Sequence, residues 1–395
     1  MLGKRGRYRR AIRQAVTRAL EKAWEPLSPE DLASRCSWVL RLPARQRALK
    51  VRNRPSLAHP DVVSDLVRQS YELRLTDPTE GLRIAEAAVD AAESLPLPSE
   101  RATLLPHLQA YAWGNLANSY RLLENFAAAE VAWSQVDARL MSGDDDPLLR
   151  ADLTLKKAEL WRAQRQWAKA LELYNTATNL NERCQELHAA GKCRLNMAAT
   201  RFYSGNTREA LAEAARAARL LDGRKEPEMI LALFHNTLLF YEDDGQPETA
   251  LLLLPRLTPW YEEMDSPLLI LRSRWLKSRL HLAAGEPRSA AHYGEEARQG
   301  LLRHGQLYDA ALCGFDVALA WMHQGGFLPA QRLALEMYGV FTAKEIPREA
   351  AATLMLFADT ARAGKLNLEL MKRLAAELKP LRRPGGRGPG PASEP

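Results

Sequence analysis

Apolar residues recur at helical spacing along most of the chain. Near the N-terminus, Ile12, Ala15, Val16, Ala19 and Leu20 fall at i, i+3, i+4, i+7 and i+8, so they share one face of a helix over residues 4–24. From residue 60 onward, similar segments alternate with turns rich in glycine, proline and aspartate. This pattern predicts an all-α protein.

Two columns of small residues divide the helical pattern into repeats. The first column is Gly205, Gly245, Gly285 and Gly325, and the second is Ala210, Ala250, Ala290 and Ala330. Both columns keep a step of 40 residues, and a period between 20 and 50 residues indicates a stack of similar units. We expect each glycine to end a helix in the left-handed conformation and each alanine to lie where two helices cross closely.

The repeats predict about eight helix pairs. The first pair covers 62–75 and 81–94, and the last covers 348–363 and 366–378, where it caps the stack because no further repeat follows. We therefore predict a basic helical N-terminal region over 1–60, a solenoid over 61–378 and a disordered Pro/Gly-rich tail over 379–395.

The second pair carries a recognisable motif. It contains Trp113, Leu116, Ala117, Tyr120, Ala129, Trp133 and Val136. Their spacing, W-x2-L-A-x2-Y-x8-A-x3-W-x2-V, resembles the tetratricopeptide repeat, although Glu124 replaces the glycine usual at the turn. The resemblance implies a right-handed superhelical solenoid of antiparallel helix pairs, in a bacterial-type protein with repeats extended to about 40 residues.

In that superfamily the first helix of each pair lines a concave groove that binds peptides or protein segments. The resemblance places the following residues there: Asn115, Asn118, Arg121, Lys156, Glu159, Arg162, Lys192, Asn196, Phe202, His235, Asn236, Glu242, Arg272, Trp275, Arg279, Phe315, Asp316 and Met322. Amides can bond an extended peptide backbone, and arginine or lysine can hold carboxylates. The alternative is that these polar residues only form a solvated inner face.

Charged residues are unevenly distributed along the sequence. The net charge is +7, yet residues 1–54 hold fifteen basic residues against four acidic ones. The first predicted helix is especially basic, with Arg5, Arg7, Arg9, Arg10 and Arg13 near its start. Such a helix is typical of contact with an anionic partner, such as nucleic acid, acidic lipid or an acidic protein surface. The alternative is a solvated terminal helix that docks through its alanines.

Candidate catalytic and metal-binding residues are few. The sequence has no Gly-rich phosphate loop, no strand-turn-helix around a serine and no H-E-x-x-H, so we predict no enzyme activity and no cofactor. Cys184, His188 and Cys193 have partial metal-ligand spacing but no evident fourth ligand, so we predict ordinary packing and no metal site.

Composition places the chain among folded proteins that do not span a membrane. Apolar residues make up 46% and charged residues 26%, and the apolar runs are far shorter than the roughly 18 residues of a membrane span. With no apolar signal segment and only four scattered cysteines, we expect a cytoplasmic protein with free thiols.

We predict an interaction scaffold or regulator; the alternative is a nucleic-acid- or membrane-associated regulator that uses the basic N-terminus. The partner and the oligomeric state stay open.

Overall fold

The computed structural model describes most of the chain. The described residues are 26–54, 57, 59–75, 77–95, 104–141, 146–263, 266–342 and 348–378. All regular structure in these ranges is helical, which confirms the predicted all-α class. The predicted helix over 4–24 and the predicted tail over 379–395 lie outside the described residues.

Within the described ranges, eight helix pairs follow two initial helices, as the repeats predict. The initial helices are α1 (Pro29–Arg41) and α2 (Ala44–Arg52). The pairs are α3 (Pro60–Glu72) with α4 (Pro78–Glu93), α5 (Leu104–Leu122) with α6 (Phe126–Leu140), α7 (Pro147–Ala163) with α8 (Trp167–Arg183), α9 (Leu187–Tyr203) with α10 (Thr207–Leu220), α11 (Pro227–Asp243) with α12 (Pro247–Leu253), α14 (Pro267–Ala283) with α15 (Pro287–Arg303), α16 (Leu307–His323) with α17 (Phe327–Glu336), and α19 (Arg348–Arg362) with α20 (Leu368–Leu378). Short helices α13 (Thr258–Glu263) and α18 (Tyr338–Phe341) extend the fifth and seventh pairs.

Helix α1 begins with a capped first turn. The Ser28 hydroxyl accepts a hydrogen bond from the Asp31 N–H, and Pro29 occupies the first turn, where its missing N–H costs nothing. Cys36 of α1 and Val51 of α2 are buried in the same core as Val62 of α3. The initial helices therefore pack against the first pair. The domain boundary at residue 60 stays a prediction.

The alanine column is buried in the helix packing. Ala210, Ala250, Ala290 and Ala330 are all fully buried. A close approach occurs at Gly294, where an added Cβ would lie 2.6 Å from Val317 Cγ2. Small side chains at these places let helices approach and leave their neighbours to fill the gaps.

The glycine column ends the first helix of four successive pairs, the fourth to the seventh, in the left-handed conformation. Gly205 has φ of +87°; its N–H donates to the Phe202 carbonyl, and the Asn206 N–H donates to the Arg201 carbonyl. This pair of bonds satisfies carbonyls that the helix end would leave without partners. The predicted role of the glycines is confirmed. Glu124 and Arg165 adopt the same conformation, with φ of +59° each, in the two preceding repeats.

The chain divides into two compact units. The N-terminal unit comprises the described residues up to Thr200 together with Arg216–Glu226, and the C-terminal unit comprises Arg201–Ala215 and the described residues from Pro227 onward. Tyr174 is among the largest fully buried side chains of the N-terminal unit. In the C-terminal unit, the Phe315 and Phe357 rings meet edge to face with centroids 5.3 Å apart. Each unit thus has an apolar core of its own.

Candidate functional site

The predicted binding residues lie on the first helices of the pairs. In the N-terminal unit they are on α5, α7 and α9, and in the C-terminal unit on α11, α14 and α16. The two sets are described separately below.

Three helices of the N-terminal unit meet at one carboxylate. Arg162 Nη2 on α7 lies 2.9 Å from Glu159 Oε2, and Arg121 Nη2 on α5 lies 3.9 Å from the same oxygen. Tyr174 on α8 donates its hydroxyl to Glu159 Oε1 over 3.3 Å. Burial alone would raise the pKa of Glu159, but Arg162 and Arg121 outweigh it and hold this pKa below its ordinary value. Glu159 is therefore ionised at neutral pH.

Other predicted residues of this unit are engaged in contacts between or within helices. Asn118 is buried, and its amide oxygen accepts from Arg121 Nε and Nη2 over 3.0 and 2.8 Å. Asn115 is 1% exposed and donates to Ser70 Oγ on α3 over 3.1 Å. Lys156 is buried and forms an ion pair with Asp152, one turn earlier on α7. Asn115 and Lys156 thus stabilise packing in this structure.

Helix α9 presents one charged pair and one amide. Lys192 Nζ lies 3.1 Å from Glu226, at the start of α11. Burial would raise the pKa of Glu226, yet His188 and Lys192 lower it to about 2. Asn196 is only partly buried, and among the described residues its side chain finds no hydrogen-bond partner.

Ion pairs link neighbouring first helices in the C-terminal unit. Arg279 on α14 lies 2.7 Å from Glu242 on α11, and Arg272 on α14 lies 2.9 Å from Asp309 on α16. Trp275 donates its indole N–H to Asp316 over 2.9 Å. Each contact reaches about one repeat along the chain, so these side chains hold successive pairs in register.

His235 and Asn236 are adjacent on α11 but differ in their contacts. His235 Nδ1 lies 2.6 Å from the Tyr261 hydroxyl. Burial, together with the nearby positive charges of Arg279 and Arg272, lowers the pKa of His235 to about 4. Asn236 is partly buried, and none of the described residues hydrogen-bonds to its side chain. It matches Asn196, which occupies the same place in the preceding repeat.

Sequence reasoning missed most of the partners of these residues. Tyr174 and Tyr261 lie on second helices or their extensions, which were not expected to reach the site. Asp309 and Glu226 lie near the starts of first helices. A search for opposite charges about one repeat apart would have found several of these ion pairs, because such residues lie side by side on neighbouring first helices.

The remaining predicted sites are limited by what the structure describes. The suggested metal ligands serve packing: His188 Nδ1 accepts from the Asp222 N–H, and Cys193 is buried beside Asn181. Within the described residues, no group of three or more His, Cys, Asp or Glu side chains could hold a metal. Nor is any helix there long and apolar enough to cross a bilayer. The anionic-contact set Arg5, Arg7, Arg9, Arg10 and Arg13 lies outside the described residues.

Comparison with known proteins identifies the fold. No protein-family model and no curated protein matches the chain. Among solved structures, the chain is similar to a Rap protein complexed with competence and sporulation factor, with 11% identity, a TM-score of 0.56 and coverage of 81% of this chain and 87% of that chain. It is also similar to the apo form of RapI, with 12% identity, a TM-score of 0.59 and coverage of 80% and 86%.

A third similar structure is aspartyl phosphate phosphatase F from Bacillus subtilis. It has 14% identity and a TM-score of 0.52, and the match covers 86% of this chain and 96% of that chain. At such low identities the similarity shows the fold alone. The predicted tetratricopeptide-like fold of helix pairs is thereby confirmed.

Proposed function

We propose that this chain is a non-catalytic regulator that binds a peptide or protein segment along the first helices of its repeats. The observation that carries the proposal is the state of Asn196 and Asn236. Both amides are partly exposed and make no hydrogen bond with the described residues, whereas the charged side chains around them are held in ion pairs. An amide has both a donor and an acceptor, which suits an extended peptide backbone.

The ion pairs support the proposal by fixing the helices that carry the amides. Lys192 and Glu226 anchor α9 in the N-terminal unit, and Arg279 and Glu242 anchor α11 in the C-terminal unit. A preorganised surface binds with less loss of conformational entropy than a mobile one. The similar Rap protein was solved complexed with competence and sporulation factor, which is in keeping with a binding role for this fold.

The experiment is a binding screen against an array of synthetic peptides of mixed sequence. We expect the full-length protein to bind a subset. Asn196→Ala in the N-terminal unit and Asn236→Ala in the C-terminal unit, tested as separate single variants, should each lose about tenfold or more in affinity for the peptides that contact that unit, because each lost pair of hydrogen bonds to a buried backbone is costly. Asn175→Ala is the matched control, since Asn175 is exposed on the second helix α8. Equal losses in the control and in both single variants would contradict the proposal.

The same proposal includes the predictions that the protein has no enzyme activity and that it is cytoplasmic. Aspartyl phosphate phosphatase F shares the fold at 14% identity, and its activity does not carry over to this chain on that basis. A regulator of this kind is expected in the cytoplasm.

The alternative function rests on the excess of basic residues in the sequence before residue 54. Its test is binding to DNA and to anionic vesicles by the full chain and by a variant lacking residues 1–25. The deletion stops there because α1 and α2 pack into the core with Cys36 and Val51. Loss of a salt-sensitive interaction on deletion would support the alternative, and unchanged binding would contradict it.

A further inference from the structure

The two sides of helix α2 differ in their chemistry. Its inner side holds Arg47 and Val51, which are 2% and 0% exposed. Because an α-helix turns about 100° per residue, Arg45, Leu49 and Arg52 lie on the opposite side, and all three are exposed. Exposed amides flank them, one on the helix and one on its C-terminal cap residue. We call the following exposed residues the outer face of α2: Arg45, Gln46, Leu49, Arg52 and Asn53.

The positive charge of this face has no acidic counterpart. Residues 32–60 contain seven lysines or arginines and no aspartate or glutamate. Elsewhere in the N-terminal unit, Arg68 and Arg139 are held in ion pairs with acidic side chains. By contrast, Arg45 and Arg52 form no ion pair with any described residue. Like charges held close together repel one another, so an anionic partner would stabilise this face.

The inner side of α2 is fastened to the first helix pair. Arg47 Nη1 lies 3.1 Å from Asp90 Oδ2, and Ser94 Oγ donates to the Ala48 carbonyl over 3.1 Å. Val51 is buried in the same apolar core as α3 and α4. These contacts hold α2 in place, so its outer face is presented in a fixed orientation and a partner pays little to order it.

We propose that the outer face of α2 binds duplex DNA, with this helix in the major groove. Duplex DNA carries about one negative charge per 1.7 Å of its axis, which suits the unpaired arginines. Its major groove, about 12 Å wide, admits an α-helix. Arginine and the amides of glutamine and asparagine are the side chains that pair with base edges there, and Gln46 and Asn53 supply the amides.

Other anionic partners match this face less well. Leu49, 64% exposed, is the one large apolar side chain of the outer face, whereas a helix that lies on a lipid surface needs a broad apolar face. Duplex RNA has a deep and narrow major groove that side chains cannot read. The chemistry and shape of the face therefore favour DNA.

This inference goes beyond peptide binding and does not depend on it. It also differs from a contact made by residues 1–25, because it places the contact on a described helix that remains when those residues are deleted. Failure of the peptide screen would therefore overturn the proposed function and leave the DNA contact standing, and the reverse holds as well.

The experiment measures binding of the full chain to a labelled DNA duplex of mixed sequence by fluorescence anisotropy, from about 50 to about 200 mM salt. We expect Arg45→Gln/Arg52→Gln to weaken binding at least about tenfold at the lowest salt. The slope of log affinity against log salt should become shallower by roughly 2, because each phosphate contact contributes about 0.9. Circular dichroism establishes that the variants are folded.

The matched control is Arg303→Gln/Arg332→Gln. It makes the same change of charge at two exposed arginines of the C-terminal unit, which also form no ion pair with described residues. Its affinity and salt slope should stay within about twofold of the wild type. Equal effects of the two double variants would overturn the assignment to α2, since net charge alone would then explain the binding.

Substitutions at Leu49 give effects of opposite sign. Leu49→Lys should strengthen DNA binding several-fold, and Leu49→Glu should weaken it by a similar factor, because this residue lies between two arginines that face phosphates. A contact with lipid through an inserted leucine would be weakened by both changes. Weakening of DNA binding by both changes would overturn the proposal.

Three further probes test the choice of partner: a duplex RNA of the same sequence, vesicles of mixed neutral and anionic lipid, and polyglutamate. We expect each to bind at least about tenfold more weakly than duplex DNA, with little change in Arg45→Gln/Arg52→Gln. Binding of any of them as tightly as DNA through these arginines, or no binding of DNA at the lowest salt, would overturn the proposal.

Discussion

Trp275 on α14 donates its indole N–H to the carboxylate of Asp316 on α16 over 2.9 Å, although 41 residues separate them. Asp316 is 2% exposed, so a lost donor is not readily replaced by water. We expect Trp275→Phe, which keeps an aromatic ring, to lower the free energy of unfolding by about 1–3 kcal/mol. Urea denaturation followed by far-UV circular dichroism measures the change.

Trp133→Phe is the control for that change. The Trp133 indole N–H is buried and has no hydrogen-bond partner in the part of the chain that the structure describes, so this substitution removes ring volume without removing a described hydrogen bond. Its cost should be smaller than that of Trp275→Phe. Equal costs would mean that the bond to Asp316 contributes nothing to stability.

At the left-handed turns, we expect adding a glycine and removing one to change the free energy of unfolding in opposite directions. Arg165 has φ of +59° and an exposed side chain, so Arg165→Gly should increase the free energy of unfolding by about 0.5–1 kcal/mol through relief of backbone strain. Gly325→Ala should decrease it by about 1–2 kcal/mol, since its φ is +73°. Both are measured by chemical denaturation.

The substitution Gly339→Ala tests whether backbone conformation, and not lack of space for a Cβ, explains the effect of Gly325→Ala on stability. Both Gly325 and Gly339 have nothing within 4 Å of an added Cβ, but Gly339 lies in helix α18 and does not have a positive φ. Alanine should therefore stabilise the protein at 339 and destabilise it at 325. Effects of the same sign at both positions would contradict the conformational explanation.

His235 predicts a loss of stability in mildly acidic solution. Its ordinary pKa is 6.5 and its pKa in the folded protein is about 4, because burial disfavours the charged ring. The neutral ring thus stabilises the fold fully above pH 6.5. As pH falls from 6.5 through 4, the unfolded state takes up the proton first, and the stabilisation of roughly 2–4 kcal/mol is lost.

The measurement compares denaturation of the wild type and His235→Gln from pH 7 to pH 4. The difference in unfolding free energy between them should change over that window, because only the wild type has this group. His292→Gln is the control, since His292 is 66% exposed. A constant difference between wild type and His235→Gln would contradict the prediction.

The four cysteines should differ in reactivity. Cys184 is partly exposed, whereas Cys36, Cys193 and Cys313 are buried. Burial raises the pKa of Cys193 to about 12 and that of Cys36 well above its ordinary value, which leaves little reactive thiolate. Iodoacetamide at neutral pH should modify Cys184 first, as mass spectrometry of the intact protein and its peptides would show.

The substitution Cys184→Ser should remove this first modification in the native protein. In denaturant, the three remaining thiols of this variant should then react with the reagent. Rapid native labelling of Cys193 or Cys313 would contradict the burial described for them.

The period of the sequence predicted backbone conformation more completely than it predicted side-chain contacts. A left-handed turn and a close helix crossing each require one kind of small residue at one place, so Gly205 and Ala210 reveal both. The environment of a repeated polar residue depends on its neighbour. Asn115, Asn196 and Asn236 share one place in three repeats, yet Ser70 of the preceding pair covers only Asn115.

The same limit applies to the contacts that Arg121 and Arg162 make with Glu159. The resemblance placed Arg121 and Arg162 on the binding face, but it did not indicate that both approach Glu159 or that Tyr174 joins them from a second helix. Such contacts depend on the distance and rotation between helices, which the period does not specify.

The left-handed glycines also mark positions at which one whole repeat could be removed. Gly245 and Gly285 end equivalent helices in the same conformation, and each is followed by a helix that begins with proline two residues later. Excision of residues 246–285 would join Gly245 to Glu286 and rebuild an equivalent turn with one repeat fewer. The number of repeats is therefore adjustable in steps of 40 residues.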